Sequence, residues 1–193
     1  MKGIQKKAYD KGLFEVSFIP IRSYATDKYQ RVDDYPFGGK KGMILKADVI
    51  YDAVTQIPDY ESYRILSLCP KGEVVNHALI QSYAESEGLI FICGYYEGID
   101  DRLYTLLPQI ERVSIGDLVL SSGELPAMMV SEAVLRYVPG VVGKADCVEE
   151  DSFHNDLLEF PQYTQPRDIQ GVGVPDVVLS GHHQAISDWR HYQ

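Results

Sequence analysis

Cysteine is scarce: three residues in 193, at Cys69, Cys93 and Cys147, far apart and without the close pairing that metal ligands show. Cys69 and Cys93 sit inside apolar runs and read as reduced core residues. No apolar run approaches the roughly 20 residues that a bilayer-spanning helix needs, which argues against a membrane partner. Met1 to Gly12 carries four lysines and no apolar h-region, so it is not a secretory signal. Internal repeats and low-complexity tracts are missing. So are the G-x-G-x-x-G fingerprint and the P-loop, which removes nucleotide phosphates as the obvious ligand. Positive charge is in short supply as well. The formal net charge is −10, and such a chain repels phosphate, so any nucleic-acid contact has to use local basic spots. Candidates are Lys2, Lys6, Lys7 and Lys11, then Lys28 and Arg31, then Lys40 and Lys41. Together these absences point to a cytoplasmic protein.

What remains is ordinary for a globular domain with a sizeable core: 45% hydrophobic and 24% charged residues. Leu13 to Ile19 alternates with period 2 and predicts a strand. Residues 20–44 lack periodicity and predict a long loop, of a length that is often functional. Lys46 to Ile57 carries a helical apolar stripe that Pro58 stops. A strand over Tyr63 to Cys69, a helix over Val74 to Glu87 and a strand over Leu89 to Cys93 follow. The last of these is continuously apolar, as in a strand buried on both faces. A short helical stretch spans Asp101 to Leu107, an extended segment Ile110 to Leu120 breaks at Gly116, and Leu125 to Val138 predicts a helix. Residues 143–166 are polar and acidic and read as a flexible linker or lid. A short strand at Val174 to Leu179 and a helix at His182 to Tyr192 complete residues 167–193. Such alternation predicts an α/β fold with a mainly parallel sheet flanked by helices, its main part in residues 1–142.

In parallel α/β sheets ligands bind beyond the carboxyl ends of the strands. Three loops follow predicted strands: Leu68 to Gly72, Gly94 to Asp100, and Ser121 to Pro126. Glycine there lets backbone approach a flat ligand closely. On composition alone this describes a small-molecule pocket and no more.

Longer strings say more. Gly94-Tyr95-Tyr96-Glu97-Gly98-Ile99-Asp100 and Ser114-Ile115-Gly116-Asp117-Leu118-Val119-Leu120-Ser121-Ser122-Gly123-Glu124-Leu125-Pro126-Ala127 closely resemble the bacterial tRNA (guanine-N1)-methyltransferase family. The likeness continues through Glu149 to Phe153, Phe160 to Pro166, Val174 to His183, and Trp189-Arg190, so it runs from about Lys6 to Arg190. The resemblance implies a SPOUT-type fold with a C-terminal trefoil knot, a homodimer with its active site at the subunit interface, and S-adenosylmethionine as methyl donor. The implied substrate is a tRNA guanine on the 3′ side of the anticodon. Cofactor contacts carried over by the resemblance are Leu68 and Pro70, then Gly94, Glu97 and Gly98. Ile115, Gly116, Asp117, Leu118, Val119, Leu120, Gly123 and Pro126 complete the set.

Guanine N1 is a poor nucleophile until its proton leaves, and negative charge then grows toward O6. The resemblance places Asp151 as the proton acceptor and Arg136 as the cation beside the developing charge. It also associates Mg²⁺ with activity, although no set of hard oxygen ligands is visible and Glu149-Glu150 reads as a solvated acidic run. His182 and His183 read as helix-capping or interface residues, and Trp189 with Ile186 as core or interface.

Several positions depart from the family. No counterpart of its first strand and Leu-Phe-Pro turn precedes Lys2, and no further helical tRNA-binding domain follows Gln193. Lys40 and Lys41 stand where a Gly and a Pro are usual, Tyr95 where an arginine is customary, and Ser122 where a Gly-Gly pair begins. If position 122 needs a positive φ, the serine narrows the cofactor loop. The competing readings are a related knotted RNA methyltransferase with another target, and a cofactor- or RNA-binding homologue without catalysis. Retention of both Arg136 and Asp151 favours the enzyme.

Overall fold

The computed structural model describes residues 3–39, 41–142, 152, 153 and 157–193. The chain divides into two compact units, residues 1–143 and 144–193. The first is a mixed α/β unit around three parallel strands, β3 (Arg64–Val74), β4 (Leu89–Ile92) and β5 (Ile110–Ser114), in the order β4-β3-β5. Before them come helix α1 (Gly3–Asp10), a two-residue antiparallel pair β1 (Asp33–Asp34) and β2 (Ile44–Leu45), and helix α2 (Ala47–Thr55).

The alternation of β3 sorts the core into two layers. Ile65 points to a cluster with Val49, Ile50 and Val54 of α2 and with Leu103 of the short helix α4 (Leu103–Leu106). Leu66 and Leu68 point the other way, to Ile80 and Tyr83 of α3 (His77–Ala84) and to Val130 and Val134 of α5 (Glu124–Leu135). Helices therefore cover both faces of the parallel sheet. Local chemistry sets their limits. The Asn76 side chain accepts the Leu79 N–H at 2.9 Å and caps α3. α2 ends at Thr55, three residues before Pro58, which has no N–H to continue it. Arg64 and Glu111 tie β3 to β5 by a two-pronged pair at 2.7 and 2.5 Å.

Four expectations need correction. Residues 13–19 form no strand; Val16 and Phe18 are exposed, and period-2 alternation cannot make a strand without a partner edge. The strand buried on both faces is β3, whereas β4 is an edge strand among the described residues, with Leu89, Ile90 and Phe91 only half-buried. Continuous apolarity measures a segment's hydrophobicity, not its place in the strand order. Residues 68–72, expected as a loop after a strand, are an irregular stretch inside β3: Val113 is the register partner of both Leu68 and Glu73, so Cys69 to Gly72 bulge out of the ladder. Val174 to Leu179 is not a strand either.

In the second unit the short antiparallel pair is β6 (Asp168–Ile169) with β7 (Val172–Gly173), and Asp176–Leu179 is helix α6. Pro175 ahead of Asp176 favours a helix start, which outweighed the β-branched Val177-Val178 pair. Helix α7 (His183–His191) is capped by His182, whose Nδ1 accepts the Ala185 N–H at 3.1 Å. Trp189 is half-buried against Tyr163, with ring centroids 6.3 Å apart. Among the described residues no helix is long and apolar enough to cross a membrane.

Candidate active site

Three segments meet at the carboxyl ends of the parallel strands and enclose a cavity of about 280 Å³. That is close to the lower end of small-molecule pockets, roughly 300–1,000 Å³. From the β3 bulge come Leu68, Cys69 and Pro70. Gly72 lets the bulge lie flat, because a Cβ there would collide with the backbone of Arg112 and Val113.

The second wall is the turn after β4, with Gly94, Tyr95, Tyr96, Glu97 and Gly98. It is pinned to the β2 region by three backbone bonds of 2.9 Å: Glu97 N–H to Met43 O, Leu45 N–H to Gly98 O, and Asp100 N–H to Leu45 O. Tyr96 takes a left-handed conformation, φ 59°, and its ring meets Tyr95 edge to face at 4.9 Å. The Arg102 guanidinium grips the Asp100 carboxylate, with Nη2 to Oδ2 at 2.5 Å, and holds that carboxyl below its ordinary range.

The third wall follows β5: Val113, Ser114, Ile115, Leu118, Val119, Leu120, Ser121, Ser122, Gly123 and Pro126. Gly123 donates its N–H to Gly94 O at 2.8 Å. A Cβ on it would lie 2.7 Å from Cys93 Cα and 2.9 Å from Gly94 N, so only glycine permits this crossing of two backbones. Burial pushes the Cys93 thiol up to about 11, with a smaller contribution from the Glu124 charge. Cys93 and Cys69 are both free and half-buried; Cys93 packs against the core, as expected, whereas Cys69 lines the cavity. Ser122 does not adopt a positive φ, so the serine causes no backbone strain.

All the residues expected to contact the cofactor line this cavity except Gly116 and Asp117. Gly116, at φ +125°, makes the turn that aims Leu118 to Leu120 into it. Cys69, Tyr95, Tyr96, Val113, Ser114, Ser121 and Ser122 also line it and were not among the expected cofactor contacts, although Tyr95 and Ser122 stand among the departures from the family. All lie at or beside strand ends, which is the signal that would have found them. The lining is mostly apolar, carries one carboxylate, Glu97, and includes no lysine, arginine or histidine among the described residues.

Of the expected catalytic pair only Arg136 is among the described residues, and it does not line this cavity. Arg136 is exposed at the end of α5, ten residues beyond Pro126, hence about 15 Å along the helix axis at about 1.5 Å per residue. Asp151, Glu149 and Glu150 lie outside the described residues. No three acidic, histidine or cysteine side chains converge as a metal site among the described residues. A second cavity of about 300 Å³ in the unit 144–193, lined by Tyr163, Arg167, Val174 and Val178 among others, contains none of the expected site residues.

Comparison with known proteins bears on the whole chain. The family model described as tRNA (Guanine-1)-methyltransferase TrmD matches residues 1–193. The tRNA (guanine-N(1)-)-methyltransferase of Staphylococcus carnosus (strain TM300) is 45% identical over 190 residues, 98% of this chain and 77% of that protein. The protein of the same name from Staphylococcus haemolyticus (strain JCSC1435) is also 45% identical, and that of Staphylococcus aureus (strain JH9) 43% identical, each over the same shares.

Proposed function

The chain belongs to the tRNA (guanine-1)-methyltransferase family, and on that premise we propose that the cavity binds S-adenosylmethionine for transfer to N1 of the guanine 3′ of the tRNA anticodon. Its reaction is methylation of a tRNA guanine at N1. One observation carries the cofactor assignment: an apolar slot with a single carboxylate and no cation among the described residues. Such a lining disfavours a phosphorylated nucleotide and suits a ligand bearing a sulfonium and an ammonium group. Glu97 faces the ammonium, backbone groups of the 94–98 and 114–123 segments hold the adenine edge, and Leu118, Leu120 and Pro126 pack on its faces.

In this reading Asp151 accepts the N1 proton and Arg136 stabilises the charge developing toward O6. The N1 lone pair takes the methyl group, and the sulfonium leaves as a neutral thioether. Because Arg136 stands about 15 Å along α5 from the cavity it cannot serve from the same chain; it serves the cavity of a second copy. α5 supports that assembly. Its apolar residues are not confined to one face: it buries Val130 and Val134 inward and leaves Leu125, Met128 and Met129 exposed, 58%, 66% and 57%, where a partner helix would cover them. The close crossing of Gly123 over Cys93 and Gly94 is in keeping with the family's trefoil knot.

Incubation with labelled S-adenosylmethionine and tRNA, followed by mapping of the modified base, tests the reading. N1-methylguanine beside the anticodon is the expected product. Cofactor binding without transfer to any RNA would overturn it.

A further inference from the structure

The chemistry above leaves residues 35–43 without a task. This segment joins β1 to β2, and its end is fastened to the rim of the cavity through the Met43–Glu97 backbone bond at 2.9 Å. Gly42, at φ +96°, lies so close to Glu97 that a Cβ would strike that side chain. Yet the segment's aromatic rings are bare: Phe37 is 96% exposed and Tyr35 78%. Lys41 is exposed and makes no ion pair among the described residues. Two of the other basic candidates are engaged, Lys6 with Asp10 at 2.8 Å and Arg31 with Asp27 at 3.4 Å, and Lys7 and Lys11 belong to or directly follow α1, outside the cavity lining.

We propose that residues 35–39 and 41–43 form the RNA-facing lip of the active site, where Phe37 stacks on an unstacked base next to the target guanine and Lys41 takes its phosphate. The inference rests on tRNA being the substrate. An exposed ring beside a cation is what single-stranded nucleic acid requires, since every base offers a π-face and every nucleotide a charge. A subunit contact would call for continuous aliphatic neighbours, and Phe37 stands between Tyr35-Pro36 and Gly38-Gly39, with Lys41 beyond. The continuous apolar patch belongs to α5. The lip also gives the anionic chain a local cation where the substrate must enter.

Binding of a synthetic anticodon stem-loop RNA, followed by fluorescence anisotropy across a salt series, tests the proposal without depending on turnover. Phe37→Ala is expected to weaken binding about tenfold or more, and Phe37→Trp to restore it. Lys41→Ala is expected to reduce the slope of log affinity against log salt by about 0.7–0.9. Calorimetric affinity for S-adenosylmethionine should not change in either variant. RNA binding by Phe37→Ala within about twofold of the parent, or no RNA binding by the parent, would overturn the proposal. A shift of Phe37→Ala from dimer to monomer in sedimentation would overturn it too, by making the ring a subunit contact. Ring-dependent RNA binding by a parent that methylates no RNA would remove the methyltransferase reading and leave this inference standing.

Discussion

The two ends of helix α5 do different work. At its start, Gly123 and Pro126 line the cavity, Gly123 at a backbone crossing that leaves no room for a Cβ. At its end, Arg136 is exposed and far from that cavity. The lining of the proposed cofactor site is preorganised in one chain, whereas the proposed chemistry needs Arg136 to be assembled onto it from a second copy. Preorganisation and assembly fail in different ways, and that difference can be tested.

The largest effect is expected at the assembled end. Asp151→Ala and Arg136→Ala should each lower the single-turnover methyl-transfer rate about 100-fold or more while sparing cofactor affinity. A near-parental rate for Asp151→Ala would show that the N1 proton leaves by another route. Next comes the exposed face between the two ends. Met128→Glu should weaken self-association about tenfold or more, and activity should follow the loss of dimer in sedimentation. A fully active monomer would break the comparison, because Arg136 would then have to reach its own cavity.

At the preorganised end the expectation reverses. Gly123→Ala should cost about 1–3 kcal/mol in urea denaturation and weaken S-adenosylmethionine binding, since the new Cβ forces apart the crossing at Cys93. Unchanged cofactor affinity in that variant would mean that the crossing does not shape the site. The smallest effect concerns pH. Arg102 keeps the folded-state value of Asp100 below the unfolded 3.8, so the pair's contribution is fully present above that value. It is lost as pH falls through the lower, folded value. Asp100→Asn should therefore flatten the acid limb of the stability curve; an unaltered limb would show the pair to be inconsequential.

Much of this could be read without coordinates, for identifiable reasons. The stripe at Val49, Ile50, Ala53 and Val54 and Pro126 in the first turn of α5 are local signals, and the corresponding helices formed within a few residues of where they were expected; the Asn76 cap that starts α3 fell inside the expected helix. The glycine-rich segments were legible because close backbone approach admits few residue types. Less legible was anything that depends on neighbours. Residues 13–19 have strand-like alternation and no partner edge, and residues 174–179 are β-branched but follow a proline that favours a helix start. Tyr95 was noted as a departure but not as pocket lining, because its place on the rim depends on the bonds from Met43 and Leu45.

The sequence by itself determined the periodicities, the turn chemistry and, through its long uncommon strings, the family and the loops that line the cavity. Only the tertiary structure decided that β3 rather than β4 is the strand enclosed on both faces, that the three loops share one cavity without a cation among the described residues, and that Arg136 lies a helix length away from it. The physical reason is range. Backbone conformation follows from residues a few positions apart, whereas burial and proximity follow from strand order and from which backbones cross, and no local pattern encodes those.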